Sequence, residues 1–204
     1  MVDVSDLNVD MGDITVAGPD DYADSTPPPV PMGNYTLRLD EWDLDKDKEG
    51  KVKLGKKGHP VILVKRATIV DGPLMGRTVT YQRIFATPFV RKDAAGNDVT
   101  VSGLGDFVRA LDRNASFTTI QDVANILNRA VDEGGTFRAR VDWEAYDEAH
   151  FEAIRGTMDE REARKASTIK GKKGFPDGKP IAVGPSGEQI EAQIRFGTFY
   201  PKKD

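Results

Sequence analysis

Pro60-Val61-Ile62-Leu63-Val64-Lys65-Arg66-Ala67-Thr68-Ile69-Val70, Asp71-Gly72-Pro73-Leu74-Met75-Gly76 and Arg77-Thr78-Val79-Thr80-Tyr81-Gln82-Arg83-Ile84-Phe85 form the stretch that decides the fold. Its first part is apolar and β-branched, broken only by Lys65, Arg66 and Thr68. Its last part alternates Val79, Tyr81 and Phe85 against Thr78, Thr80 and Gln82. Such residues suit a pleated, half-buried surface, and the Gly- and Pro-containing link is turn chemistry, so the two runs read as a hairpin. Upstream, Tyr35, Leu37 and Leu39 alternate with Thr36, Arg38 and Asp40 as a preceding strand.

Downstream the period changes. Leu104, Phe107, Val108 and Leu111 fit a short amphipathic helix, and Ile120, Val123, Ala124, Leu127, Ala130 and Val131 fit a second. Thr119 supplies its N-cap, Asp122 the capping partner and Gly134-Gly135 the stop. Strand alternation returns with Phe137, Ala139, Val141 and Trp143. A charged, helix-prone stretch runs from Glu144 to Lys165, a basic loop spans Lys170 to Pro176, and Ile190, Ala192, Ile194 and Phe196 mark a last strand. The expected class is mainly β with inserted helices. The element order predicts a five-stranded OB-fold barrel with helices between strands 3 and 4 and a long insertion between strands 4 and 5.

Charge divides the chain in two. No basic residue precedes Arg38, and seven aspartates make that segment −7, leaving residues 38–204 at +3. Residues 1–31 are read as an acidic, proline-ended arm, closed by Thr26-Pro27-Pro28-Pro29-Val30-Pro31, and residues 32–204 as the barrel domain. An acidic arm on a basic body can shield a nucleic-acid surface, recruit a partner or simply keep the protein in solution. Val2, Val4, Leu7, Val9, Met11, Ile14 and Val16 also carry a strand-like period, which makes a β-arm added to a neighbour's sheet the alternative. The chain has no Cys, no basic leader and no apolar run of membrane-spanning length, so the expectation is a cytoplasmic protein without a membrane partner.

Catalytic constellations are poor. His59 and His150 stand in no metal-ligand spacing, Gly184-Pro185-Ser186-Gly187 reads as a tight turn rather than a nucleophile elbow, and Ser102-Gly103-Leu104-Gly105 as a helix start. Asp40, Glu41, Asp43 and Asp45 interleave with Lys46, Lys48, Lys51 and Lys53, which reads as a solvated loop. No enzyme, cofactor or metal is expected.

Cations and aromatics remain. If apolar alternates fill the barrel, then Arg38, Trp42, Arg66, Thr68, Thr80, Gln82, Arg138, Arg140 and Arg195 point outward. Lys46 to Lys57 adds six lysines against two acids, and Arg161 to Lys179 seven cations against two acids. A positive groove with stacking aromatics is what single-strand binding requires. Trp42, out of phase with the strand's core residues, and Phe175, set among lysines, are the preferred stacking residues. Tyr81 and Phe85 share a face with Val79 and read at least as well as core.

The Pro31-Met32-Gly33-Asn34-Tyr35 strand opening, the Val70-to-Arg77 turn, the Leu104-to-Leu111 helix, Gly135-Thr136-Phe137-Arg138-Ala139 and Ile169-Lys170-Gly171-Lys172-Lys173-Gly174-Phe175-Pro176 together resemble bacteriophage single-stranded-DNA-binding proteins built on an OB fold. The resemblance covers most of residues 30–199. It implies a sequence-tolerant single-stranded DNA binder of replication or recombination, acting in the bacterial host cytoplasm. The expected nucleic-acid-binding residues are Arg38, Trp42, Arg66, Arg77, Arg138, Arg140, Lys170, Lys172, Lys173 and Phe175. Replication or recombination proteins met through the arm, and a second copy of the chain, are further expected partners. The alternative is a phage structural or interaction module whose N-terminal β-arm is exchanged between subunits.

Overall fold

The computed structural model describes residues 29–55, 58–93 and 95–201; the expected alternation of the acidic arm and the first half of its proline spacer lie outside them. Strands β1 (Gly33–Leu44), β2 (Ile62–Ile69) and β3 (Thr78–Ile84) form the expected antiparallel meander. A second hairpin follows, β4 (Pro88–Lys92) with β5 (Asp98–Ser102), then helices α1 (Gly103–Leu111) and α2 (Ile120–Asp132). Strand β6 (Thr136–Tyr146) leads into α3 (Glu148–Ile154), α4 (Glu160–Ala166), β7 (Thr168–Lys170) and the short helical turn α5 (Gly171–Gly174). The chain closes with the hairpin β8 (Ile181–Val183) and β9 (Gln189–Glu191), and with β10 (Gln193–Tyr200).

The main sheet has the order β10-β6-β1-β2-β3, with β7 paired to the end of β6. The protein is therefore mainly β, with α1 and α2 between the third and fourth long strands as expected. The sheet is open: no backbone ladder joins β3 to β10 among the described residues. The two outer strands instead meet across a seam, where the Phe196 amide donates to Gln82 Oε1 at 3.1 Å. Gln82 is buried, and its amide nitrogen donates to the Thr80 carbonyl at 2.8 Å.

Local chemistry explains the helices. Ser102 caps α1 by accepting from the Gly105 amide at 3.0 Å. Thr119 and Asp122 form a full capping box on α2, and Gly134, at φ 67°, supplies the left-handed stop that a side chain would resist. Both helices lay apolar faces on the sheet. Phe107 of α1 meets Phe137 of β6 edge to face at 5.1 Å, within a core that includes Leu37, Leu39, Val108 and Leu127. Val30 is also buried there, so the packed body begins before the boundary at residue 31. A smaller cluster holds Trp143, Ala145, Phe175 and Ala182.

One irregularity runs across three strands. Core residues are Leu37 and Leu39 in the first half of β1, but Trp42 and Leu44 pack inward in the second half. On β2 the buried set changes from Ile62 and Val64 to Ala67 and Ile69; on β3 it changes from Val79 to Gln82 and Ile84. Each strand spends two consecutive residues off the core: Asp40-Glu41, Lys65-Arg66 and Thr80-Tyr81. Register shifts flank Glu41, and Tyr81 is the one non-glycine residue with positive φ, at 55°, among the described residues. Because strand side chains have a period of two, an extra residue inverts every later position.

Candidate nucleic-acid interface

That fault line decides which aromatics are available. Trp42 does not point outward as its phase with Leu37 and Leu39 predicts: it faces the core side opposite Val64, and its Nε1 donates to Asn128 Oδ1 of α2 at 3.0 Å. Gln82 is turned inward for the same reason. Phe175 is not a solvent-facing loop aromatic either. It is 2% exposed and stands edge-on to Trp143 at 5.6 Å, so its apolar ring anchors the basic segment to the body. Trp143 in turn donates from Nε1 to the Val30 carbonyl at 2.8 Å.

Among the described residues the exposed aromatics are Tyr81, Phe85 and Phe89, at 68%, 50% and 49%. Tyr81 and Phe85 are the two that read at least as well as core in the sequence. A legible signal is the apolar phase itself: Val79 and Ile84 sit at odd and even positions of one short strand, which forces an extra residue between them. Tyr81 takes that place. A left-handed backbone on a bulky residue costs of order 1–3 kcal/mol and is found where the surrounding structure imposes it, often at functional sites.

Tyr81 overlooks the seam between β3 and β10, which opens into a groove of about 990 Å³. Arg77, Thr78 and Thr80 line its β3 side, and Gln193 and Arg195 its β10 side. Arg77 lies close enough to Tyr35 for its charge to oppose the rise that burial imposes on the Tyr35 hydroxyl pKa. Arg195 Nε approaches Glu144 at 3.5 Å and an amino group donates to Gln193 at 3.2 Å. Hydrogen-bonding side chains, two guanidinium groups, the Glu191 carboxylate and one exposed ring thus line the open groove.

The outer face of the sheet continues from this groove. Arg66 stands opposite Thr80 in register, and Arg38 opposite Thr68. Arg38 and Arg66 share Asp40, at 2.7 and 3.9 Å, and Asp40 also accepts from the Thr68 hydroxyl. Arg138 and Arg140 point outward from β6, as expected from their spacing of two. Arg138 lies over the Tyr200 ring at 5.8 Å, while Arg140 donates to Asp142 at 2.8 Å, which raises its pKa further. These arginines are therefore held by acids or a ring rather than standing as bare cations. The guanidinium groups are about half exposed, so each keeps donors that a phosphate can reach beside the acid or ring it already holds.

Lys170, Lys172 and Lys173 are exposed on β7 and α5. None lines the groove: Lys170 and Gln193 pair with Glu144 from opposite edges of β6, so that strand stands between the basic segment and the groove. The acidic residues expected in a loop lie on or just after β1 instead. Asp45 is buried, with Arg83 Nε at 2.6 Å and Lys53 Nζ at 3.2 Å; burial pushes its carboxyl up, and these hydrogen bonds outweigh that and lower it. Among the described residues no group of three or more His, Cys, Asp or Glu side chains is placed to hold a metal, and no helix is long and apolar enough to cross a membrane. No family model, curated protein or solved structure matches the chain.

Proposed function

We propose that the protein binds single-stranded DNA without sequence preference, in the manner of a bacteriophage replication or recombination accessory, and does so without catalysis. The observation that carries this reading is Tyr81: an exposed ring held in a strained conformation over an open groove flanked by Arg77 and Arg195. A base can stack on such a ring only when it is unpaired, and the guanidinium groups and threonine hydroxyls suit the phosphate and sugar edges of the strand. The meander of β1 to β3, the return of β6 to β1 and the approach of β10 to β3 support an OB-like topology whose closing ladder is replaced by the Gln82 bridge. In OB folds the face of the second and third strands and the adjoining loops carry the ligand, and the groove adjoins β3.

Fluorescence anisotropy with single-stranded and duplex oligonucleotides at two salt concentrations tests the proposal. Single strands should bind more tightly, and affinity should fall with salt with a log-log slope of about −0.7 for each phosphate neutralised. Duplex binding of equal strength overturns it. One observation favours the second reading, an interaction module of a phage particle: Phe89 and Val90 are exposed side by side on β4. In that case no oligonucleotide is retained at either salt concentration.

A further inference from the structure

We propose that the β3–β10 groove is the docking site of the chain's own acidic segment, residues 1–28, when no nucleic acid is bound. The inference rests on reading the groove as the single-strand site, and it adds a competing occupant.

Three observations converge. Pro29 and Val30 line the groove, and Val30 is pinned there by burial and by the hydrogen bond from Trp143, so residues 1–28 join the body at the groove's rim. Those residues carry seven aspartates and no basic side chain, while the groove presents Arg77 and Arg195 against one lining acid, Glu191, and the adjacent outer face adds Arg66 and Arg38 around Asp40. Between Thr78 and Thr80, ahead of the left-handed Tyr81 and the Gln82 bridge, the edge of β3 that faces the groove has no ladder partner among the described residues, and such an edge offers backbone groups to a sequence with alternating apolar residues, as in Val2-Asp3-Val4 and Leu7-Asn8-Val9. Reach is sufficient: the 12 residue steps from Ala17 to Pro29 can span at most about 40 Å, against about 23 Å for the seven residues of β3.

A tethered segment acts at millimolar effective concentration, so it weakens single-strand binding without abolishing it. Removal of residues 1–28 should tighten binding about tenfold at low salt and by less at high salt, where exposed charges are screened.

The chain has no cysteine, so a pair can be introduced cleanly. The full chain carrying Ala17→Cys and Thr80→Cys, treated with a short bis-maleimide, should give an intramolecular product. A saturating oligo(dT) strand should slow its formation, and replacing all seven aspartates with Asn should remove it. Cross-linking no faster than between Ala17→Cys and Lys92→Cys, on the hairpin away from the groove, overturns the proposal. A product joining two chains does so as well, by assigning the groove to a second copy. If the intramolecular product forms while oligo(dT) is not bound at all, the docking stands and the single-strand reading falls. If oligo(dT) binds but the Thr80 pair behaves like the Lys92 pair, the reading stands and the docking falls.

Discussion

Tyr81 and Phe175 exchange the roles that their neighbours in sequence suggest. Tyr81 follows a buried valine at a spacing of two yet lies in solvent, whereas Phe175 sits among lysines yet is buried against Trp143. Tyr81→Ala should weaken single-strand binding by about 1–3 kcal/mol, the usual value of a base stack, measured by anisotropy with oligo(dT). Because the substitution also relieves a left-handed backbone only in part, Tyr81→Phe is the companion variant and should retain the ring's contribution. Phe175→Ala should instead cost about 3–5 kcal/mol of folding stability by emptying a core site, read by denaturant unfolding. If Phe175→Ala leaves stability unchanged and removes binding, the two roles have been misassigned. The fluorescence of Trp42 should also stay nearly constant on adding oligo(dT) to a Trp143→Phe variant, because its ring is committed to Asn128 and the core.

At the scale of the element, helix α2 shows how far local chemistry reaches. The Asp122 carboxylate accepts from the Thr118 amide at 2.9 Å and the Thr119 amide at 2.8 Å, and these backbone donors hold its pKa down to about 2. The folded value lies below the unfolded one, so this capping interaction is complete above about pH 4 and is lost as the pH falls towards 2. Thermal unfolding followed from pH 5 to pH 2 should show a decline that is shallower in Asp122→Asn, which cannot titrate there. Thr119→Ala, which removes the reciprocal cap, should cost about 1 kcal/mol at neutral pH. The strands behave differently. Their phase depends on neighbours: the double off-core steps at Asp40-Glu41, Lys65-Arg66 and Thr80-Tyr81 line up across the sheet, so no strand can change phase alone without disrupting its pairs.

For the molecule as a whole, electrostatics should separate affinity from specificity. The outward arginines of β1, β2 and β6 are paired with acids or rings at half-exposed sites, so each can hold a phosphate without touching a base. Arg138→Ala with Arg140→Ala should weaken binding to all sequences alike and flatten the salt slope by about 0.7 for each phosphate that is no longer neutralised, measured with oligonucleotides of mixed sequence. An unchanged slope places β6 off the path of the strand and confines binding to the groove. The same titration with Arg77→Ala and Arg195→Ala ranks the groove against the outer face.

Much of the architecture follows from sequence alone because its causes are local. The meander, the two helices with their caps, the β6 alternation and the tight turn between β8 and β9 each follow from periodicity or from residues within a few positions of one another. The β4–β5 hairpin is not legible in the same way, because Phe89, Val90 and Arg91 are all exposed and leave no two-residue alternation to read. The candidate site is legible as a set of outward arginines but not as a place. Which aromatic faces solvent is decided by the aligned phase change on three strands, a property of pairing between segments far apart in the chain. The groove exists because β3 and β10, more than a hundred residues apart, approach without forming a ladder, and that distance is set by the packed core beneath them.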